Sequence, residues 1–136
     1  MTRTKNVARD RYTVFWNRAM QYDESLKGAF ENGAYDAAVS HAVHCAISAI
    51  DAVSVLRIGK RSSAQNHNEI AILLKETKTH DESEKGKIIE SLSRLIEMKA
   101  IAEYEDKPMS KSDAEKAMNQ CRKVFAFAEE EIDRKG

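Results

Sequence analysis

An all-α bundle is the fold this sequence predicts, and three observations predict it. Backbone breakers are scarce, with one proline and five glycines in 136 residues, too few for the turns of a many-stranded sheet. Apolar residues return at steps of three and four over long stretches, the spacing of one helix face. Strand-like alternation of useful length is missing. The pattern divides into four long helices and one short one. They fit one domain over residues 1–136, a length that buries a sizeable core without metals or disulfides.

Residues 1–8 carry no apolar face, and with Arg3 and Lys5 they read as a flexible basic tail. The first helix is expected over about 9–31, with Phe15, Ala19, Tyr22, Leu26 and Phe30 on one face. Asn32-Gly33 stops it, Gly33 serving as a left-handed cap. The second helix is expected over about 35–58 and is apolar around more than half its circumference, which marks it as central. Its polar residues His41, His44, Ser48 and Asp51 form one thin row that meets solvent, a loop or a second copy. Gly59 ends it, and the polar stretch 60–66 reads as a loop.

The third helix is short, about 66–76, with Ile70, Leu73 and Leu74 facing inward. A charged, weakly structured stretch over 75–86 leads to the fourth, about 84–105. Lys107-Pro108 breaks the chain, because proline cannot continue the backbone ladder. Ser112-Asp113-Ala114-Glu115 has the pattern of a capping box and opens the fifth helix, whose apolar stripe runs from Ala114 to Ile132.

Hydrophobic residues make up 42% and charged residues 32%, a globular balance rather than a disordered one. The 22 basic and 22 acidic residues cancel, so any nucleic-acid site must be a local patch. Cys45 and Cys121 lie in apolar helical patterns and read as buried reduced thiols. Without CxxC, HExxH or a Cys/His cluster, the chain offers no metal ligand set, and no cofactor is expected. The N-terminus lacks the apolar core of a signal peptide, and no apolar run approaches a membrane span. A cytoplasmic protein that does not meet a membrane is the expectation.

Chemistry, if present, sits where the second helix runs out. Arg61 and His67 are separated by five intervening residues. A histidine moves protons near neutral pH, and an arginine fork holds phosphate. The bland alternative is a helix-start histidine bonding backbone beside a solvated loop arginine. Arg57, Lys60 and Arg61 form a basic cluster. It is either a phosphate site or a set of cations complementing a helix C-terminus. Tyr12, Phe15 and Trp16, interleaved with Arg9, Arg11 and Arg18, either stack bases or pack the core.

Several stretches resemble one family in order. Gly33-Ala-Tyr-Asp-Ala-Ala-Val-Ser-His-Ala42 and Ala46-Ile-Ser-Ala-Ile-Asp-Ala-Val53 resemble the second helix of HEPN domains (higher eukaryotes and prokaryotes nucleotide-binding). His67-Asn-Glu-Ile-Ala-Ile-Leu-Leu74, Lys99-Ala-Ile-Ala-Glu-Tyr104 and Ser112-Asp-Ala-Glu-Lys-Ala117 resemble the elements that follow, so the likeness spans about residues 12–132. The resemblance implies an antiparallel HEPN-like bundle that forms a homodimer and binds RNA or a nucleotide. It implies either a metal-independent endoribonuclease using Arg61 and His67, or a non-catalytic interaction module. Such a module would partner a small nucleotidyltransferase in a toxin–antitoxin pair. Ser62 stands where the family's nucleases carry asparagine, aspartate or histidine after the arginine.

Overall fold

The computed structural model describes residues 4–62 and 68–134. Five helices make up the bundle: α1 (Tyr12–Glu31), α2 (Tyr35–Ile58), α3 (Asn68–Glu76), α4 (Glu82–Tyr104) and α5 (Lys111–Asp133). A 3-10 turn, Arg9–Arg11, leads into α1. Four long helices and one short one are what the periodicity predicts.

The helix α2 is the axis of the molecule, packed against α1, α5, α4 and α3. Its alanines 38, 42, 46 and 49 are fully buried, and small side chains there let neighbouring helices approach closely. By length and composition α2 could cross a membrane, contrary to the sequence expectation, but 83% of its apolar window is buried inside the bundle. Its hydrophobicity is that of a core helix. One large cluster joins Ala19, Leu26, Val39, Ile50, Leu92 and Val124, and a smaller one at the far end joins Phe15, Ala52, Val55 and Ile132. Cys45 and Cys121 are free and buried. A hydrogen bond with Cys121, with burial, pushes the Cys45 thiol far up, so it stays protonated.

The starts of α4 and α5 differ from expectation. Asp81 caps α4, accepting from Glu84 N at 3.0 Å, so the helix starts at Glu82 and absorbs part of the stretch expected to be weakly structured. The buried ammonium of Lys85 on α4 donates to the carbonyls of Thr77 and Lys75, satisfying the end of α3. In α5 the capping box is Ser110 with Asp113, two residues before the expected one. Ser110 Oγ accepts from Asp113 N and Asp113 Oδ2 accepts from Ser110 N, at 3.1 and 2.9 Å.

The largest departure is at the N-terminus. Residues Thr4–Asn6 are not a loose tail but a strand, β1, paired antiparallel with β2 (Lys60–Ser62), which was expected to be loop. The register sets Thr4 against Ser62, Lys5 against Arg61 and Asn6 against Lys60. Gly59 makes this possible. It ends α2 in the left-handed region (φ +64°), turning Lys60 back toward the chain start. Val7 N then donates to Gly59 O at 2.8 Å, extending the ladder.

Candidate functional site

The polar row of α2 is the base of the site. His41, His44 and Ser48 are half-buried, and Asp51, at the deep end, is 6% exposed. Tyr22 of α1 lies over His44 and His41, ring centroids 5.4 and 6.2 Å apart. A concavity of about 280 Å³ continues along that flank, lined by Arg18, Gln21, Tyr22 and Ser25.

Asp51 meets a loop element, β2. Its Oδ1 accepts from Ser62 N at 2.8 Å and from Ser62 Oγ at 3.0 Å, and Oδ2 lies 3.2 Å from the same hydroxyl. Burial pushes the Asp51 carboxyl up to about 6, against the Ser62 hydrogen bonds and the charges of Arg61 and Arg18, which pull it down. Arg61 Nε donates to Ser62 O at 3.0 Å. The guanidinium carbons of Arg61 and Arg18 lie 5.4 and 5.2 Å from the centroid of the Phe15 ring, within cation–π range. The β-ladder adds Lys5 opposite Arg61, next to Lys60. One end of the bundle therefore holds Lys5, Arg18, Lys60 and Arg61, with the charges of Arg18 and Arg61 acting on the buried Asp51.

The structure divides the basic cluster expected from sequence. Lys60 and Arg61 belong to this end, with Lys60 exposed and Arg61 half-buried. Arg57 turns away toward α5. Its terminal nitrogen donates to Glu131 O at 3.1 Å and pairs with Glu131 Oε1 at 3.3 Å. Glu131 is 2% exposed and also accepts His80 N. Arg57 is thus half of a buried ion pair at the margin of a different concavity, of about 340 Å³, with Arg9, Lys78 and His80. His67 lies outside the described residues. Among the described residues, no three His, Cys, Asp or Glu side chains converge as a metal would require.

The aromatic cluster resolves toward packing. Phe15 is 6% exposed, and Trp16 stacks on Phe125 of α5 with centroids 4.7 Å apart. Lys99 and Glu103 form the intrahelical pair their spacing suggests. Sequence reasoning missed the approach of Arg18 and Ser62 to Asp51 and the pairing of Lys5 with Arg61. A signal existed in part: Asp51 is the one carboxylate in the inner turns of the most apolar helix.

The HEPN domain family model matches residues 12–132. Among curated proteins no sequence match is found. The fold is similar to that of TT1696 from Thermus thermophilus, with a TM-score of 0.67 at 19% identity, covering 89% of this chain and 98% of that one. It is also similar to ST0689, described as an archaeal HEPN homologue, with a TM-score of 0.68 at 16% identity, covering 90% of this chain and 98% of that one. At these identities the likeness establishes a shared fold.

Proposed function

The chain belongs to the HEPN domain family, and on that premise we propose that it binds RNA at the β1–β2 end of the bundle and cleaves it without a metal, through Arg61 and His67. One observation carries the reading: in a chain of zero net charge, Lys5, Arg18, Lys60 and Arg61 gather at one end. A phosphate backbone is the ligand such a local patch suits. Among the described residues, the hydrogen bonds of Arg61 engage only its Nε, which leaves the terminal nitrogens for phosphate oxygens.

In this mechanism the RNA 2′-oxygen attacks the adjacent phosphorus while the bond to the 5′-oxygen breaks. The products are a cyclic phosphate and a 5′-hydroxyl. His67 moves the proton that this exchange requires, and Arg61 offsets the charge that builds on the phosphate. Single-stranded RNA incubated with the protein in EDTA should be cut, and DNA of the same sequence should not. Substitution His67→Ala should lose cleavage by ~10²–10⁴-fold with the fold intact, and Arg61→Ala should lose both cleavage and affinity. Intact RNA across a range of pH and protein concentration would end the catalytic reading.

A second observation favours the interaction-module reading alongside this one. Trp16, Met20 and Lys27 lie on the flank of α1 opposite Arg18, Gln21 and Ser25. That flank borders a concavity of about 500 Å³ between α1 and α5, lined by Lys27, Phe30, Glu115, Met118 and Arg122. Met20, about two turns before Lys27 on the same flank, is 41% exposed. Apolar residues rimmed by charges of both signs suit a second copy of the chain, and a homodimer built there leaves the basic end open. If RNA is neither bound nor cut, this surface remains as the one for a protein partner, such as a small nucleotidyltransferase.

A further inference from the structure

Arg61 sits on a three-residue strand at the rim of the bundle, and a strand that short holds no geometry by itself. Two ties hold it. One is β1, which pairs across from Lys5. The other is Asp51, rooted in the middle of the best-packed helix, whose carboxylate takes both the amide and the hydroxyl of Ser62. Ser62 O in turn receives the Arg61 Nε–H. The chain of contacts runs from a rigid helix through one serine to the guanidinium.

We propose that Asp51 is a positioning residue for Arg61: by clamping Ser62 it fixes the strand and the direction of the guanidinium that meets phosphate. Asp51 itself touches no substrate. A carboxylate suits this task where an apolar side chain would not, because its Oδ1 accepts from both the amide and the hydroxyl while Oδ2 stays within reach of the hydroxyl. A buried charge opposes folding, so the carboxylate is kept at this depth against a cost in stability. The two cations beside it, Arg18 and Arg61, favour the charged carboxylate, and each guanidinium lies within cation–π range of the Phe15 ring.

The inference rests on Arg61 being a phosphate contact, so its test has one arm that needs RNA and one that does not. The arm without RNA follows the Arg61 Nε–H and Ser62 amide resonances by nitrogen-15 NMR in wild type, Asp51→Asn, Asp51→Ala and Ser62→Ala. In Asp51→Ala the Arg61 Nε–H should lose its protection from exchange with water, and in Ser62→Ala, where the amide of residue 62 still meets the carboxylate, it should lose part of it. The Ser62 amide should lose protection in Asp51→Ala. Should Asp51→Ala fail to fold, Ser62→Ala decides, because it removes the hydroxyl link while the Ser62 amide still holds the carboxylate. Unchanged Arg61 resonances in folded Asp51→Ala or Ser62→Ala would overturn the proposal, while Asp51→Asn, which keeps an Oδ1 acceptor, should stay close to wild type.

The RNA arm is a double-mutant cycle on binding of a single-stranded RNA. Asp51→Ala should weaken binding about tenfold, the worth of one charge-assisted hydrogen bond, when Arg61 is present. In the Arg61→Ala background it should change binding by less than about twofold, because a residue acting through Arg61 has nothing left to position. Equal losses in both backgrounds would overturn the positioning role. Wild-type protein that binds no RNA would overturn the RNA-binding reading alone, and the resonances would still decide whether Asp51 holds Arg61.

Discussion

Asp51 carries a cost in stability that can be measured. Its carboxyl titrates near 3.8 in the unfolded chain and near 6 in the fold. The folded state therefore binds this proton more tightly, and stability falls as pH rises between those values. Relative to wild type, Asp51→Asn should gain about 3 kcal/mol between pH ~3.5 and ~6.5. Carboxylates such as Glu82, held down to about 2 chiefly by the Thr79 hydroxyl, act in the opposite sense. They are common to both proteins and cancel in the difference. Urea unfolding across that pH range would measure it, and a flat difference would mean that Asp51 ionises as an exposed carboxylate does. Arg57 predicts the reverse kind of result. Truncation to alanine leaves Glu131 buried with only the His80 amide among the partners described above, so Arg57→Ala should cost about 3 kcal/mol while RNA affinity stays near wild type. Loss of affinity without loss of stability would put Arg57 back among the phosphate contacts. The sequence makes the row His41, His44, Ser48, Asp51 legible at helical spacing, but not its partner. Ser62 lies eleven residues on, and its approach depends on pairing with a strand near the chain start.

At the scale of elements, the bundle was legible because each long helix carries its own periodicity, and periodicity is local. What was not legible is what two distant segments make jointly. Neither Thr-Lys-Asn (residues 4–6) nor Lys-Arg-Ser (60–62) has the length or alternation of a strand, and the pair exists because Gly59 turns the chain at +64°. The start of α5 moved by two residues for a related reason: Ser110 and Ser112 both satisfy capping chemistry, and packing decides between them. Gly59→Ala tests the turn. A Cβ at position 59 would meet Val7 O at 3.1 Å, on a backbone conformation that L residues disfavour. The substitution should cost about 1–2 kcal/mol. It should also raise exchange at the Val7 amide, whose acceptor is Gly59 O. A melting temperature and Val7 exchange equal to wild type would show that β1 is held by something other than this turn.

The whole molecule has to cover its apolar surface, and here the structure changes the argument for assembly. Read from sequence alone, the broad apolar face of α2 and the long stripe of α5 argue for a second copy to cover them. Both are buried within the chain, from Ala38 to Val55 on α2 and from Ala114 to Ile132 on α5. Met20 stands 41% exposed beside the Trp16–Phe125 stack on the outer α1–α5 surface, while Ile72 of α3 and Ile101 and Tyr104 of α4 are exposed elsewhere. A stable pair of chains buries about 800 Å² per partner, roughly a tenth of the 7629 Å² this chain exposes, which two helices lying side by side can supply. Sedimentation at micromolar concentration should therefore give a particle of twice the 15.4 kDa chain mass. Met20→Glu should shift it toward one chain, with its helical circular dichroism unchanged, because the side chain is outside the core and a charge there opposes burial against a second copy. RNA binding by this variant should persist, since Arg18 and Arg61 lie on the other flank of α1. A wild-type protein that sediments as a single chain would remove the homodimer. A Met20→Glu dimer as tight as wild type would move its interface to another face.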